Sequence, residues 1–405
     1  MAGQDVALEH LLAAVEQAPP VESSAVIGRI LAEQLGASDV CFMLTDFAGD
    51  SVWRLPAEAR FGEGKNDREE LSGSLYDQVI SSQQVRVTDS PGPSGGFDPG
   101  YRVVAPVTNR GDAIGVLELT MRERPGDRQL RHVAQAAHAM AYIVVANRRF
   151  TDLYEWGRRS MPVSLAAEIQ HNLLPDALSC EAVQATIAGN LEPSGDIAGD
   201  TFDYSLDERS LHISITDAMG HDVPAAMLAT LLVGALRNAR RARADLAAQA
   251  RAADRAVTDF GQDATATGQL LRIDLTTGRA LFVNAGHPWP LRLRDGRVTV
   301  IEPGIDPPFG APNPHGHRVQ DFDLAPGDRV VLLTDGMSER NTNALDLPAL
   351  IADGSGLHPR EAVRSMTHAL NRVTGGDLLD DATVICLDWH GPGPGPGPGS
   401  GQHTP

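Results

Sequence analysis

Lysine is nearly missing from this chain: the only one in 405 residues is Lys65, in GEGKNDRE, where asparagine rather than serine or threonine follows it. A phosphate-binding P-loop needs Lys-Ser/Thr after a glycine-rich turn, a protein kinase needs a strand lysine, and Schiff-base chemistry needs a lysine amine. The sequence therefore argues against all three. An arginine-favouring genome accounts for the bias, and the argument holds whatever its cause. Cysteine is scarce too: Cys41, Cys180 and Cys386 lie far apart with no C-x-x-C spacing, against both a disulfide framework and a zinc site. No apolar run reaches the roughly 18 residues that span a bilayer. The start MAGQDVALEHLLAAVEQ lacks the basic-then-apolar layout of a signal peptide, so the chain reads as cytoplasmic with no membrane partner. Positive charge is short, 34 Lys+Arg against 53 Asp+Glu for a net charge of −19, and such a surface repels phosphate backbones and anionic lipid. No nucleic-acid partner is expected, and the basic run RNARRARA (237–244) reads as the solvated face of one helix.

What remains is ordinary globular composition, 42% hydrophobic and 21% charged, long enough for two or three domains with real cores. Residues 1–126 mix a helical stretch (VIGRILAEQLG) with strands (DVCFMLTDF, YRVVAPVTN, AIGVLELTM) and a loop, DSPGPSGGFDPG, too rich in Gly, Pro and Ser to pack. That is an α+β domain. From 127 to 174 turn residues are rare, and Leu130, Val133, Ala137, Met140 and Val144 recur at alternating three and four spacing. Such a stripe fits a long connecting helix whose seam pairs two copies in a homodimer, or a helix folded back on the first domain's core. Pro162 and Pro175 predict a break near 160 and an end near 174. Residues 175–390 alternate strand-like runs with helical ones: SLHISITD and DRVVLLTD each end in aspartate, and TGQLLRIDL and RALFVNAG form a hairpin around Thr277-Gly278. PAAMLATLLVGALRNARRARA is helical from Pro224, and LPALIADG and HPREAVRSMTHALNRV add later helices. The tail 391–405, GPGPGPGPGSGQHTP, cannot bury apolar surface and is expected to be disordered.

Aspartates recur where strands end: Asp200 in IAGDTFD, Asp217 in ISITDAMGHD, Asp335 in VVLLTDGMSE, and Asp380-Asp381 in LLDDATVICL. Singly, each is a turn-capping aspartate. Several converging above a sheet cannot all stay ionised without cations between them, and oxygen-only ligands favour Mg²⁺ or Mn²⁺. Two ions about 3.5–4 Å apart, bridged by one carboxylate, would lower the pKa of a bound water and clamp phosphoryl oxygens.

The ordered set G-D-x-x-x-D (Gly199, Asp200, Asp203), D-x-x-G-H (Asp217, Gly220, His221), N-A-G-H-P (Asn284 to Pro288), P-P-x-G (Pro307, Pro308, Gly310), T-D-G (Thr334, Asp335, Gly336) and D-D-x-T (Asp380, Asp381, Thr383) resembles the bacterial PPM-type serine/threonine phosphatases of the SpoIIE and RsbU kind. The resemblance covers about residues 165–390. It implies an α/β/β/α sandwich with a site for two Mn²⁺ or Mg²⁺ ions between the sheets, hydrolysing phosphoserine or phosphothreonine. Carried over by position, Asp217 bridges the ions, with the Ala218 carbonyl on one of them. Asp335 and Asp380 hold the other, and Asp200 acts through metal-bound water. His221 and His287 read as hydrogen-bonding struts rather than acids. The chain departs from the family at Ala198 and Asp222, where glycine is common.

The first domain resembles a GAF sensor module, an α/β/α fold, in its amphipathic helix, its strand DVCFMLTDF and its late pair YRVVAPVTNRGDAIGVLELTM. Its signal, small molecule or protein, is not named by any motif, and Cys41 reads as a buried small hydrophobe. The leading expectation is a regulated phosphatase whose partner is a phosphoprotein, in the resembling family commonly an anti-sigma-factor antagonist. The alternatives are a catalytically degenerate phosphatase-shaped scaffold, motivated by Ala198 and Asp222, and a small-molecule phosphohydrolase. A DNA-binding regulator ranks below these.

Overall fold

The computed structural model describes residues 8–47, 49–55, 68–90, 100–158, 164–194, 199–261, 263–338 and 345–393. Lys65, Ala198, most of the loop 89–100 and nearly all of the tail 391–405 lie outside them. The chain divides into two compact units, Met1–Pro162 and Val163–Pro405.

The first unit runs α1 (Leu8–Gln17), α2 (Ser23–Leu35), β1 (Ala37–Thr45), β2 (Ser51–Arg54), β3 (Arg68–Glu70), α3 (Leu75–Ser82), β4 (Arg86–Ser90), β5 (Gly100–Asn109), β6 (Asp112–Met121), α4 (Asp127–Asn147) and α5 (Leu153–Arg158). Its six strands form one antiparallel sheet in the order β3-β2-β1-β6-β5-β4. Alternation along β1 sends Phe42 and Leu44 into the core under α1, α2 and α4, and Cys41 and Met43 into a second cluster with Tyr76, Val79 and Ile80 of α3. Both faces are covered, which is why DVCFMLT reads as an unbroken apolar run.

The stretch 127–174 is not one connecting helix. α4 stops at Asn147, α5 is a separate short helix, and the next helix, α6 (Leu165–Leu173), belongs to the second unit. Asn147 donates its side-chain N–H to Ser23 Oγ at 2.6 Å, tying the end of α4 to the start of α2. Val133, Ala137, Met140 and Val144 are buried in the first unit's own core, with Leu130 packed against it. The stripe that suggested a dimer seam is spent within one chain. A three-four spacing specifies that a helix buries one face, and the core of its own domain serves as well as a second copy.

The second unit continues with β7 (Ser179–Glu181), β8 (Ala185–Glu192), β9 (Asp200–Leu206), β10 (Ser210–Ala218), α7 (Asp222–Arg241), α8 (Leu246–Phe260), β11 (Ala266–Asp274), β12 (Arg279–Ala285), β13 (Leu291–Arg294), β14 (Arg297–Val300), β15 (Gln320–Asp323), β16 (Arg329–Leu333), α9 (Leu347–Asp353), α10 (Pro359–Thr374) and β17 (Ala382–Trp389). Two antiparallel sheets result, β15-β12-β11-β10-β9 and β14-β13-β16-β17-β8-β7. Phe202, Ile213, Leu271 and Phe282 of the first share a core with Ile187, Val330, Leu332 and Ile385 of the second. On the outer faces, Leu270 and Val283 pack under α7 and α8, while Val331, Leu333 and Val384 pack under α9 and α10. Helix, sheet, sheet and helix form the four layers of an α/β/β/α sandwich. Pro224 is the third residue of α7 rather than its first, still within the turn whose N–H groups have no intrahelical partner.

Candidate metal centre

The two sheets bring four strand ends together. In the first, Asp200 opens β9 directly opposite Asp217 near the end of β10, and Thr267 of β11 lies on the other side of Asp217. In the second, β16 ends at Leu333 and turns through Thr334 into a 3-10 turn, Asp335–Ser338, while Asp380 and Asp381 lead into the neighbouring β17. Thr334 and Thr383 fasten these ends: the Thr334 N–H donates to the Thr383 carbonyl at 3.0 Å, and the Thr383 N–H to Thr334 Oγ1 at 2.9 Å. Their hydroxyls both donate to Asp200 Oδ2, at 2.7 and 2.6 Å, so one carboxylate of the first sheet is held by two threonines of the second.

Two glycines permit the approach. A Cβ on Gly336 would lie 2.0 Å from the Asp381 carbonyl oxygen, and one on Gly199 would lie 2.4 Å from that of Ala218. Both glycines stand beside candidate site residues, Asp335 and Asp200, so close backbone approach is what sets the acids against one another.

The site also holds residues with no motif of their own. Gln170 of α6, almost fully buried, donates its side-chain N–H to the Asp200 carbonyl at 2.9 Å and to Asp381 Oδ2 at 2.5 Å. The Ser194 N–H reaches Asp381 Oδ1 at 2.9 Å. Asp381 was legible only as half of D-D-x-T; it is the more buried of the pair and the better anchored.

Burial and mutual repulsion raise the acids together. Asp217 is pushed up to about 7, first by burial, then by the charges of Asp335, Asp380 and Asp381. Asp200 is raised well above the ordinary carboxylate range by burial and by Asp217 and Asp381, against the pull of the two threonine hydroxyls. Asp380 is raised by burial and by Asp335, and Asp381 by burial and by Asp380, opposed by the donors on each. The sequence-predicted Asp200, Asp217, Asp335 and Asp380 are thus brought together, with Ala218 beside them on β10. Their fit to divalent cations rests on this: buried, all-oxygen, repelling acids whose ionised forms need positive charge among them. Among the described residues no three acid, histidine or cysteine side chains already close around one point; the donors stand on separate segments that an ion would gather.

The remaining motif residues play other parts. Asp203 is buried under Arg237 and Arg240, whose guanidiniums reach it at 2.9 to 3.2 Å. His287 shares a 2.7 Å hydrogen bond with Thr267 Oγ1, and burial pushes its imidazole down to about 3. Asn284 clasps the His287 backbone at both N–H and carbonyl, so N-A-G-H-P is a braced turn. His221 is exposed and meets the Asp222 carboxylate at 2.8 Å. Asp222 has φ +61, a left-handed conformation in which glycine is at ease and aspartate is among the tolerated exceptions. Cys386 lies in the core, where burial pushes its thiol up to about 12. Among the described residues no helix is long and apolar enough to cross a membrane.

Residues 207–390 match the family described as Stage II sporulation protein E (SpoIIE), and residues 20–146 match the GAF domain. Phosphoserine phosphatase RsbP of Bacillus subtilis is 27% identical over 183 residues, 44% of this chain and 45% of its own length. Phosphoserine phosphatase RsbU of the same organism is 24% identical over 236 residues, 56% of this chain and 69% of its own length. The chain thus spans about half of RsbP and about two thirds of RsbU. A solved structure of the RsbU and RsbW domains of a Mycobacterium tuberculosis protein is 27% identical with a TM-score of 0.47, covering 54% of this chain and 63% of that one.

Proposed function

From a chain that carries an N-terminal GAF domain and a SpoIIE-type PP2C phosphatase domain, we propose a metal-dependent protein serine/threonine phosphatase that removes phosphate from a phosphoprotein of sigma-factor regulation, an anti-sigma-factor antagonist, under control of the GAF domain. The observation that carries this reading is the convergence of Asp200, Asp217, Asp335, Asp380 and Asp381 at the ends of two packed sheets, where burial and neighbouring charge raise Asp200, Asp217, Asp380 and Asp381. The similarity to the phosphoserine phosphatases RsbP and RsbU supports the substrate class.

In this reading Asp217, the Ala218 carbonyl, Asp335 and Asp380 would hold two Mg²⁺ or Mn²⁺ ions. Such ions supply a Lewis acid and a water of lowered pKa. Asp200, locked by the Thr334 and Thr383 hydroxyls, would orient water there. Asp381, held by Gln170 and Ser194, keeps the D-D-x-T turn in place. His287, neutral and buried, braces the wall and moves no proton near pH 7. No side-chain nucleophile is needed.

The test is phosphate release from a phosphoserine or phosphothreonine protein with Mn²⁺ or Mg²⁺, against chelator and against Asp335→Asn. Release that needs metal and is lost in the variant supports the phosphatase. No release from folded, metal-loaded protein in the presence of its regulator favours the scaffold, and faster release from small phosphoesters than from phosphoproteins favours the small-molecule hydrolase.

A further inference from the structure

The basic run 237–244 is only half explained by Asp203. Arg237 and Arg240 turn inward to that acid, whereas Arg241 and Arg243 meet no acid among the described residues. Arg243 has φ +58 just past the end of α7, a position where glycine is usual. At the same end of the sheet, Ser205, His212 and Arg272 lie directly opposite one another across β9, β10 and β11. These residues and Arg209 line a cavity of about 580 Å³.

The lining is cationic against the trend of the whole chain. Five arginines, 209, 240, 241, 243 and 272, face it with two acids, in a chain of net −19. One of those acids, Asp207, is already engaged by the N–H groups of Arg209 and Ser210 and by the Ser210 hydroxyl, at 2.7 to 2.9 Å. His212 is 9% exposed, and its Nδ1 is buried without a hydrogen-bond partner. Burial, Arg272 and Arg240 push its imidazole down to about 4, against the pull of Asp207, so the ring among these cations is neutral. Basic residues in a last helical turn complement the helix dipole, which accounts for Arg240 and Arg241. It does not account for Arg209 in the β9–β10 turn or Arg272 on β11, nor for a cavity wall in which the buried His212 Nδ1 has no partner while Nε2 meets the Ser210 hydroxyl at 3.4 Å.

We propose that this cavity binds a small ligand carrying two or more linked phosphate groups, at a site separate from the carboxylate cluster. Guanidiniums match phosphate oxygens bidentately, and their placement on three chain segments suits several phosphates better than one. The volume is in the range that holds a small organic ligand. His212 and Asp217 are five residues apart on β10, about 17 Å at strand rise, so one phosphate does not reach both sites. The negative end of α7 opposes an anion, which leaves the arginines to supply the attraction. This inference does not rest on phosphatase activity.

Calorimetric titration of the full chain in metal-free, low-salt buffer tests it, with tripolyphosphate, a nucleoside triphosphate, orthophosphate and a short single-stranded oligonucleotide as probes. Saturable tripolyphosphate binding, at least about tenfold tighter than orthophosphate and weakened at least about tenfold in Arg241→Glu/Arg243→Glu, is expected. Asp335→Asn should bind as the parent does. Equal affinity for tripolyphosphate and the nucleoside triphosphate assigns recognition to the phosphate chain, and tighter nucleotide binding adds a base. Arg272→Gln, judged alongside thermal unfolding of each variant, guards against a folding defect. Absence of saturable binding, unchanged binding in the double variant, loss in Asp335→Asn, or preference for the oligonucleotide overturns the proposal.

Discussion

Asp200 and Asp217 are directly opposed residues of the antiparallel pair β9–β10. Like charges in that relation destabilise a sheet, and here both are largely removed from water, with Asp217 pushed up to about 7. Asp217→Asn should therefore raise the melting temperature of metal-free protein at pH 7.5, by about 1 kcal/mol or more of stability. Added Mn²⁺ should stabilise the parent by mass action and leave the variant nearly unmoved. Phosphate release should fall by about two orders of magnitude or more. A variant less stable than the parent without metal would refute the repulsion.

Gly336 and Gly234 make a matched pair of tests. A Cβ at 336 meets the Asp381 carbonyl at 2.0 Å, whereas one at 234, in the middle of α7, meets nothing within 4 Å. Gly336→Ala should cost about 3 kcal/mol and abolish activity by parting Asp335 from Asp381. Gly234→Ala should stabilise by about 0.5–1 kcal/mol through helix propensity, with activity intact. Chemical unfolding and phosphate release on the two proteins decide the matter.

Gln170 donates to both the Asp200 carbonyl and the Asp381 carboxylate. Gln170→Ala leaves both without that donor and should lower release about 10–100-fold while raising the metal concentration needed. Gln170→Glu puts another carboxylate against Asp381, so it should be worse than alanine at neutral pH. The gap should narrow as the pH is lowered and the added acid takes up a proton. Rates that order the other way would show that the amide only fills space.

The four predicted aspartates were legible because each sits where a strand begins or ends, and apolar runs such as DRVVLLTD are unbroken because both faces of the second sheet are covered. Gln170 was not: a single glutamine on an amphipathic helix has no spacing to mark it, and its partners lie 30 and 211 residues away. The boundary between the units was misread for a related reason. A periodic apolar stripe tells that a helix is covered on one face, and only tertiary packing tells by what. The cost of Asp222 was also hidden, because a left-handed φ belongs to the backbone and the residue adopting it is an aspartate.

His287 sets a pH dependence of stability. Its folded pKa is about 3, against about 6.5 for an unfolded histidine. Below about 6.5 the unfolded chain takes a proton that the folded chain refuses, so the contribution is whole above that pH and is lost as pH falls toward 3. The loss is about 1.4 kcal/mol per pH unit within the window, and His212, folded at about 4, adds in the same direction. The raised acids of the cluster act the other way over the same range but are common to both proteins, so urea unfolding at pH 7.5, 6 and 5 should show the parent losing stability relative to His287→Gln by that slope. An unchanged slope would mean that His287 protonates freely in the fold.

The α4 stripe offers the remaining test, since a packed helix and a dimer seam answer a buried charge differently. Met140 is 1% exposed in the core of the first unit, whereas Ala134 lies on the exposed face of the same helix. Met140→Asp buries an unpaired carboxylate and should cost about 4 kcal/mol or more, unfolding the first unit in a transition separate from that of the second. Ala134→Asp should stay within about 0.5 kcal/mol of the parent. A seam would give another result: Met140→Asp would keep both units folded and convert a dimer to a monomer on sizing. Because Met140 already packs among Val133, Ala137 and Val144 inside a single chain, the first result is the one the fold requires.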